Sequence, residues 1–221
     1  MPRMNRPPNH ACKYLTHPFI GKPIFKPKQC QEIIDFCLEN WEEKPGLIGY
    51  ESDLDPKGIR EDLDYRNSIC MHTSTTLGNG KPFENKFFNK VFESVFDFND
   101  SEIGYGYELF GPIESPMFLI YNDPEIDSNN KPGQYKYHMD IGDTFPMSNR
   151  KIAYSIFLNY GDYEGGEWEY YVTQDATDVK AKQPQRGTII LFSSFLLHRV
   201  TPVTKGTRYA LTGWMHGNSF R

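Results

Sequence analysis

Cysteine is scarce in this chain. Cys12, Cys30, Cys37 and Cys70 are all it has in 221 residues, and none forms a C-x-x-C pair. That leaves a disulfide scaffold or a thiolate zinc site without support. Cys30 and Cys37 fall seven apart in a helical pattern and read as core. No apolar run approaches the ~20 residues a membrane helix requires. The first 28 residues contain no continuous apolar stretch, so no secretory signal is expected, and the protein is read as soluble and cytoplasmic. Basic charge is not in excess: 24 Lys and Arg stand against 29 Asp and Glu, a net charge of -5. This balance argues against a bulk nucleic-acid binder. No internal repeat or low-complexity segment is present, and oligomeric state cannot be read from the sequence.

Aromatic residues are abundant. Sixteen Phe, 14 Tyr and 3 Trp suffice for a packed core and exclude a wholly disordered chain. Arg3, Arg6, Lys13, Lys22, Lys26 and Lys28, with no acid and six prolines among the first 28 residues, cannot run as a helix. Residues 1–25 are therefore read as an extended basic arm, and 26–221 as one domain. Pro27 opens a helix in which Ile33, Ile34, Phe36, Cys37, Leu38 and Trp41 recur at helical spacing, up to Pro45-Gly46. Residues 51–66 are highly charged without apolar periodicity, and predict an exposed loop that could serve as a lid. A second helix is expected over about Glu84 to Phe96. Short apolar or alternating runs then come at Tyr105–Phe110, Met117–Tyr121, Tyr135–Ile141, Ile152–Asn159, Glu167–Val172, Thr188–Phe192, Leu196–Val200 and Arg208–Met215. Helices first and eight short strands after predict a mainly β fold with flanking helices (α+β), a sandwich or jelly roll.

Two patterns carry chemistry. His138 and Asp140 stand at i and i+2 in a predicted strand and so share one face. His198 lies on a later strand. Two histidines and a carboxylate on one face of a metal make the facial triad of non-heme Fe(II) oxygenases. H-x-D alone is weak, and a lone strand histidine is usually a core residue. The segment after His198 strengthens the reading: a turn at Lys205-Gly206 makes a hairpin that can return Arg208 beside His198, where its guanidinium could pair with a small dicarboxylic acid. Gly165-Gly166 reads as a hairpin turn, and His72 and His216 have no partner at ligand spacing. The G-Y-G-Y stretch at 104–107 lacks the context of a phosphate loop.

With H-M-D at 138–140, R-K-I-A-Y-S-I-F-L-N at 150–159, Y-E-G-G-E-W at 163–168, P-Q-R-G-T-I-I-L-F at 184–192 and H-R-V-T-P-V-T-K-G-T-R-Y-A-L-T-G-W at 198–214, the chain resembles the prolyl 4-hydroxylase-like Fe(II)/2-oxoglutarate dioxygenases, including the PKHD-type hydroxylases of bacteria and phages. The resemblance runs from about Lys26 to His216 and implies a double-stranded β-helix core preceded by helices. It implies that His138, Asp140 and His198 ligate iron and that Arg208 binds the distal carboxylate of 2-oxoglutarate. Tyr121 looks like the family tyrosine that hydrogen-bonds this co-substrate, although Asn122 to Lys136 is longer than usual. Phe157 stands where an oxygen-sensing relative has a second tyrosine. Trp214 matches the tryptophan that ends the Arg strand, as a pocket wall first and a substrate contact second, and Arg66 resembles an R-x-S segment beside the mouth. The implied cofactors are Fe(II), 2-oxoglutarate and O2, with ascorbate as a further candidate. The implied partner is a peptide or protein carrying a prolyl residue, with no membrane involved. Other amino-acid side chains or small molecules as substrate, a non-catalytic jelly-roll metal-binding protein, and a zinc hydrolase are the alternatives. The last has no need of Arg208.

Overall fold

The chain is seen in a computed structural model that describes residues 16–49, 58–72, 82–172, 177–180 and 184–218. In chain order the elements are β1 (Phe19–Pro23), α1 (Pro27–Asn40), β2 (Glu42–Pro45), β3 (Arg66–Asn67), β4 (Ile69–His72), α2 (Pro82–Asp100), β5 (Leu109–Gly111), β6 (Met117–Asn122), β7 (Gln134–His138) and β8 (Arg150–Phe157). After these come β9 (Glu164–Gly165), β10 (Trp168–Val172), β11 (Thr177–Lys180), β12 (Thr188–Ser193), β13 (His198–Val200), β14 (Val203–Lys205) and β15 (Thr207–Gly217).

Most strands form two facing antiparallel sheets, and β9 pairs with β14 in a separate two-stranded ribbon. The larger runs β1-β12-β8-β15-β6-β4-β2, with β5 also on β15, and the smaller runs β11-β10-β13-β7-β3. Side-chain alternation decides what lies between the layers. On β8, Ile152, Tyr154 and Ile156 join the cluster beneath the helices, while Ala153 and Phe157 face the smaller sheet. Strands β12 and β6 repeat the division: Ile189, Leu191, Phe118 and Ile120 point to the helices, and Ile190, Phe192, Leu119 and Tyr121 point inward. Strands buried on both faces read as nearly continuous apolar runs, which is what their sequences show.

Helix α1 presents Cys30, Ile33, Ile34 and Cys37 to the sheet, one turn apart. Its first turn is closed by the Gln29 side chain, which accepts the Lys26 N–H at 3.0 Å. The helix stops at Asn40, short of the expected Pro45, because Trp41 turns into extended backbone. Trp41 packs on Phe87 and Phe88 of α2, and Glu42–Pro45 pairs with β4 instead. Helix α2 is longer than periodicity suggested, running from Pro82 to Asp100. Of the expected strand at Tyr105–Phe110 only Leu109–Gly111 pairs; upstream, Tyr107 is tied to the Asn99 side chain. Within the expected arm, residues 1–15 lie outside the described residues, while Phe19–Pro23 are extended and hydrogen-bond to β12 as the edge of the larger sheet. Phe25, just beyond, is buried. None of the described helices is long and apolar enough to cross a membrane.

Ile156 is fully buried beneath the helices and Leu38 is 44% exposed. Urea unfolding is expected to show Ile156→Ala destabilised by about 2–5 kcal/mol and Leu38→Ala within about 0.5 kcal/mol of the parent.

Candidate active site

A cavity of about 820 Å³ opens between the two sheets, and the predicted residues converge on it. Antiparallel pairing of β13 with β7 sets His198 directly opposite His138, with imidazole centroids 4.2 Å apart. Each ring is fixed by its own strand. Nδ1 of His138 lies 2.8 Å from the Lys136 carbonyl, and Nδ1 of His198 lies 2.9 Å from the Leu196 carbonyl. A carbonyl only accepts, so both Nδ1 atoms carry a proton, and in the neutral ring Nε2 presents a bare lone pair. Both Nε2 atoms face Asp140, His138 Nε2 at 3.7 Å from Oδ1 and His198 Nε2 at 3.8 Å from Oδ2. Burial, and then the neighbouring His198, hold His138 well below the usual imidazole range, so it stays neutral. Three acceptors within 4.8 Å of one another form a site that a cation satisfies.

At the inner end of the cavity, β15 pairs with β6 so that Arg208 stands across from Tyr121. Arg208 is 1% exposed. Its guanidinium lies 5.1 Å from the Tyr121 ring and 5.2 Å from the Phe157 ring, and its Nε has no hydrogen-bond partner among the described residues. A buried cation faced by rings rather than by a carboxylate is costly unless an anion joins it. Gly166, at φ +59°, makes room for it: a Cβ there would fall 3.0 Å from Arg208 Cδ and 2.8 Å from Val203 Cγ2. The glycine pair does not turn the expected hairpin, since Gly165 belongs to β9, which pairs with β14, while β10 pairs with β11 and β13. Sequence reasoning missed Tyr163, whose phenol is pushed up by burial and drawn back by Arg208 beside it.

The walls are aromatic. Tyr135 stacks on His138 at a centroid distance of 3.5 Å, and the Arg66 guanidinium lies 4.6 Å from the Tyr135 ring. Arg66 itself is held by the Leu47 carbonyl at 2.9 Å, Ser68 Oγ at 3.0 Å and Cys70 Sγ at 3.0 Å. Trp214 lines the cavity, its indole N–H unpartnered among the described residues. Arg60, Asp62 and Tyr65 line the mouth. They belong to the segment expected as a lid, of which residues 51–57 lie outside the described residues.

Spacing also failed to reveal Glu114, Arg150 and His216. Arg150 stacks on Trp214 at 3.5 Å, directs Nε and Nη2 to the two oxygens of Glu114, and donates from Nη1 to the Asp140 carbonyl at 2.8 Å. His216 accepts the Ile113 N–H on Nδ1 at 3.1 Å and donates from Nε2 to Glu114 at 2.9 Å. Residues 102 apart in the chain meet here, which no local motif announces.

Residues 125–216 match the family model of the 2OG-Fe(II) oxygenase superfamily. That stretch, 92 of the 221 residues, contains His138, Asp140, His198 and Arg208. Among curated relatives, the chain is 39% identical over 85 residues to a PKHD-type hydroxylase of Gloeothece citriformis, a stretch covering 37% of this chain and 36% of the relative. A PKHD-type hydroxylase of Idiomarina loihiensis is also 39% identical, again over 36% of its own length. The chain therefore spans little more than a third of these relatives. By fold the likeness is longer. A crystal structure of a Pseudomonas putida prolyl-4-hydroxylase superposes with a TM-score of 0.61 at 14% identity, covering 91% of this chain and 93% of that one. A prolyl hydroxylase from Trichoplax adhaerens, solved with a hypoxia inducible factor peptide fragment, gives 0.63 at 16% identity over 91% and 84%. The jelly roll of these fold neighbours is the architecture that the two facing sheets build.

Burial alone would raise the Glu114 carboxyl, but hydrogen bonds from Arg150 and His216 bring it from an ordinary 4.5 down to about 2. A depressed carboxyl stabilises the fold above its unfolded pKa, and that contribution is lost as pH falls from about 4.5 towards 2. Thermal melts across this range should show Glu114→Gln less stable than the parent at neutral pH, with the difference shrinking as acid is added.

Proposed function

We propose that the chain is an Fe(II)- and 2-oxoglutarate-dependent hydroxylase acting on a prolyl residue of a peptide or protein. The observation that carries this reading is the pairing, in one cavity, of three convergent acceptors with a buried guanidinium that faces aromatic rings. Each half asks for something of opposite charge. A structural metal site would need only the first half, and a zinc hydrolase has no use for the second.

In this reading His138, Asp140 and His198 hold Fe(II), and Arg208 with Tyr121 takes the far carboxylate of 2-oxoglutarate. When bound, the iron and co-substrate supply O2-dependent oxidative decarboxylation, which releases succinate and CO2 and hydroxylates a substrate C–H bond. The protein's part is position and exclusion of water. The Nδ1 bonds to Lys136 and Leu196 aim both imidazoles, and the Tyr121 phenol, raised by burial despite Arg66 and Arg208, stays protonated and can donate. Tyr135, Trp168 and Trp214 form an aromatic wall suited to a small apolar ring, and Trp214 keeps an indole N–H available for a carbonyl. At the outer surface Met139 is 54% and Phe145 70% exposed, on the segment that comes after His138. Exposed apolar side chains beside an open mouth suit a peptide more than a small polar metabolite. In this reading Arg66, which lines the same cavity, contacts the same substrate, and the fold neighbour solved with a peptide supports the choice of a peptide.

The test is 2-oxoglutarate-dependent succinate release by protein prepared without oxygen and supplied with Fe(II), with and without a proline-rich peptide. Turnover stimulated by the peptide is expected, and His138→Ala should abolish it. Arg208→Ala should raise the KM for 2-oxoglutarate by about 10- to 100-fold, the worth of hydrogen bonds to a charged group. Wild-type protein that neither binds 2-oxoglutarate nor releases succinate would refute the reading.

A further inference from the structure

The three acceptors of the triad are not equally well held by the sheet. His138 and His198 are register partners in a ladder, and each ring is pinned by a carbonyl of its own strand. Asp140 has neither advantage. Strand β7 ends at His138, so the Asp140 backbone lies outside the ladder, where each residue keeps two soft dihedrals. Its N–H is tied to the Ser194 carbonyl at 2.9 Å, which also takes the Ile141 N–H at 3.0 Å. Its carbonyl is tied through a side chain, the Nη1 of Arg150 at 2.8 Å.

We propose that Arg150 is a positioning residue for the metal site, holding Asp140 in place from a clamp formed with Glu114, His216 and Trp214. The proposal rests on reading the triad as a metal site. A guanidinium on a flexible stem can fix a loop only if it is itself fixed, and here it is held from several sides. One face lies 3.5 Å above the Trp214 ring, which comes from the larger sheet. Nε and Nη2 grip both oxygens of Glu114 in a fork, a geometry that specifies direction as well as charge. Glu114 is fixed in turn by His216, and His216 ends the chain of bonds on the Ile113 backbone. The remaining nitrogen of the guanidinium, Nη1, points at Asp140. The clamp therefore ties the unpaired loop of the smaller sheet to β8 and β15 of the larger one. Its charge is internally balanced, since Glu114 is held ionised against Arg150, so fixing Asp140 adds no net charge beside the carboxylate. Residues that orient a metal's ligands typically change affinity 10–100-fold when removed.

The test reads metal binding without turnover. Mn(II) binding to the full chain is measured by calorimetry, and the visible spectrum of the Co(II)-saturated protein reports ligand arrangement. Arg150→Ala should weaken Mn(II) binding by about 10- to 100-fold and shift the Co(II) bands. Arg150→Lys, which keeps a cation but loses the fork, should fall between it and the parent, and decides the matter if the alanine variant does not fold. Ile156→Ala, remote from the cavity, controls for stability and should leave both readouts unchanged. The proposal is overturned if Arg150→Ala and Arg150→Lys bind Mn(II) like the parent, including the case where they lose only peptide hydroxylation, which would place Arg150 on the substrate. It is equally overturned if Ile156→Ala weakens binding as much. Failure of the parent protein to bind Mn(II), or undiminished binding by His138→Ala, would instead remove the metal reading itself.

Discussion

The antiparallel pairing of β13 with β7 is the constraint on which the rest of the cavity depends. It is a short ladder with a register irregularity, yet it decides that His198 meets His138 and not a neighbour. A slip of one residue would turn either imidazole to the opposite face of the smaller sheet. Register is protected by the rings on each side. Trp168, opposite Val200, and Phe192 of the facing sheet both pack against the His198 ring, and Tyr135 covers His138. The aromatic content conspicuous in the composition thus serves the site as well as the core. Large rings on one inner face leave few ways for two short strands to pair.

The larger sheet answers from across the cavity by the same rule. Even-numbered positions of β15 point inward, so Arg208, Thr212 and Trp214 all reach the cavity, while Tyr209, Leu211 and Met215 go to the cluster beneath the helices. A period of two along one strand therefore separates chemistry from stability. It also places the two ends of the cavity, Arg208 and Trp214, on one continuous rigid element.

These rules explain what the sequence disclosed and what it withheld. Strand positions were legible because alternation and turn residues are local. The convergence of His138, Asp140 and His198 was legible because H-x-D places two side chains on one face. Arg208, however, does not return beside His198 on a neighbouring strand: β14 pairs with β9, and β13 and β15 lie in different sheets, so Arg208 reaches the cavity from the larger one. Short strands such as Arg66–Asn67 and Glu164–Gly165 were not legible, since two residues carry no period. The C-terminal limit of α1 was misjudged because Trp41 fits the helical repeat, but packing on α2 draws it out of the helix. Glu114, Arg150 and His216 stayed hidden for a different reason. Their meaning lies in contacts between residues 36 to 103 apart, and a glutamate in a turn, an arginine opening a strand and a histidine near the end of one are individually ordinary.

Charge accounts for the remaining shape of the cavity. Inside the mouth, Arg66, Arg150 and Arg208 line it against the carboxylates of Glu114 and Asp140. Glu114 neutralises Arg150 directly, which leaves Asp140 to face two further cations. The Asp140 oxygens face the two imidazoles instead. The protein alone therefore leaves its anion among lone pairs and the cation Arg208 among aromatic rings, each desolvated and each short of its best partner. A divalent cation at the triad would relieve the first but would make the cavity strongly positive. A dianion long enough to reach from the triad to Arg208 would relieve the second and offset the excess. In the proposed reading metal and dicarboxylate are complementary occupants of one electrostatic problem, and the separation between Arg208 on the larger sheet and the triad on the smaller one selects the length of the acid that can solve it.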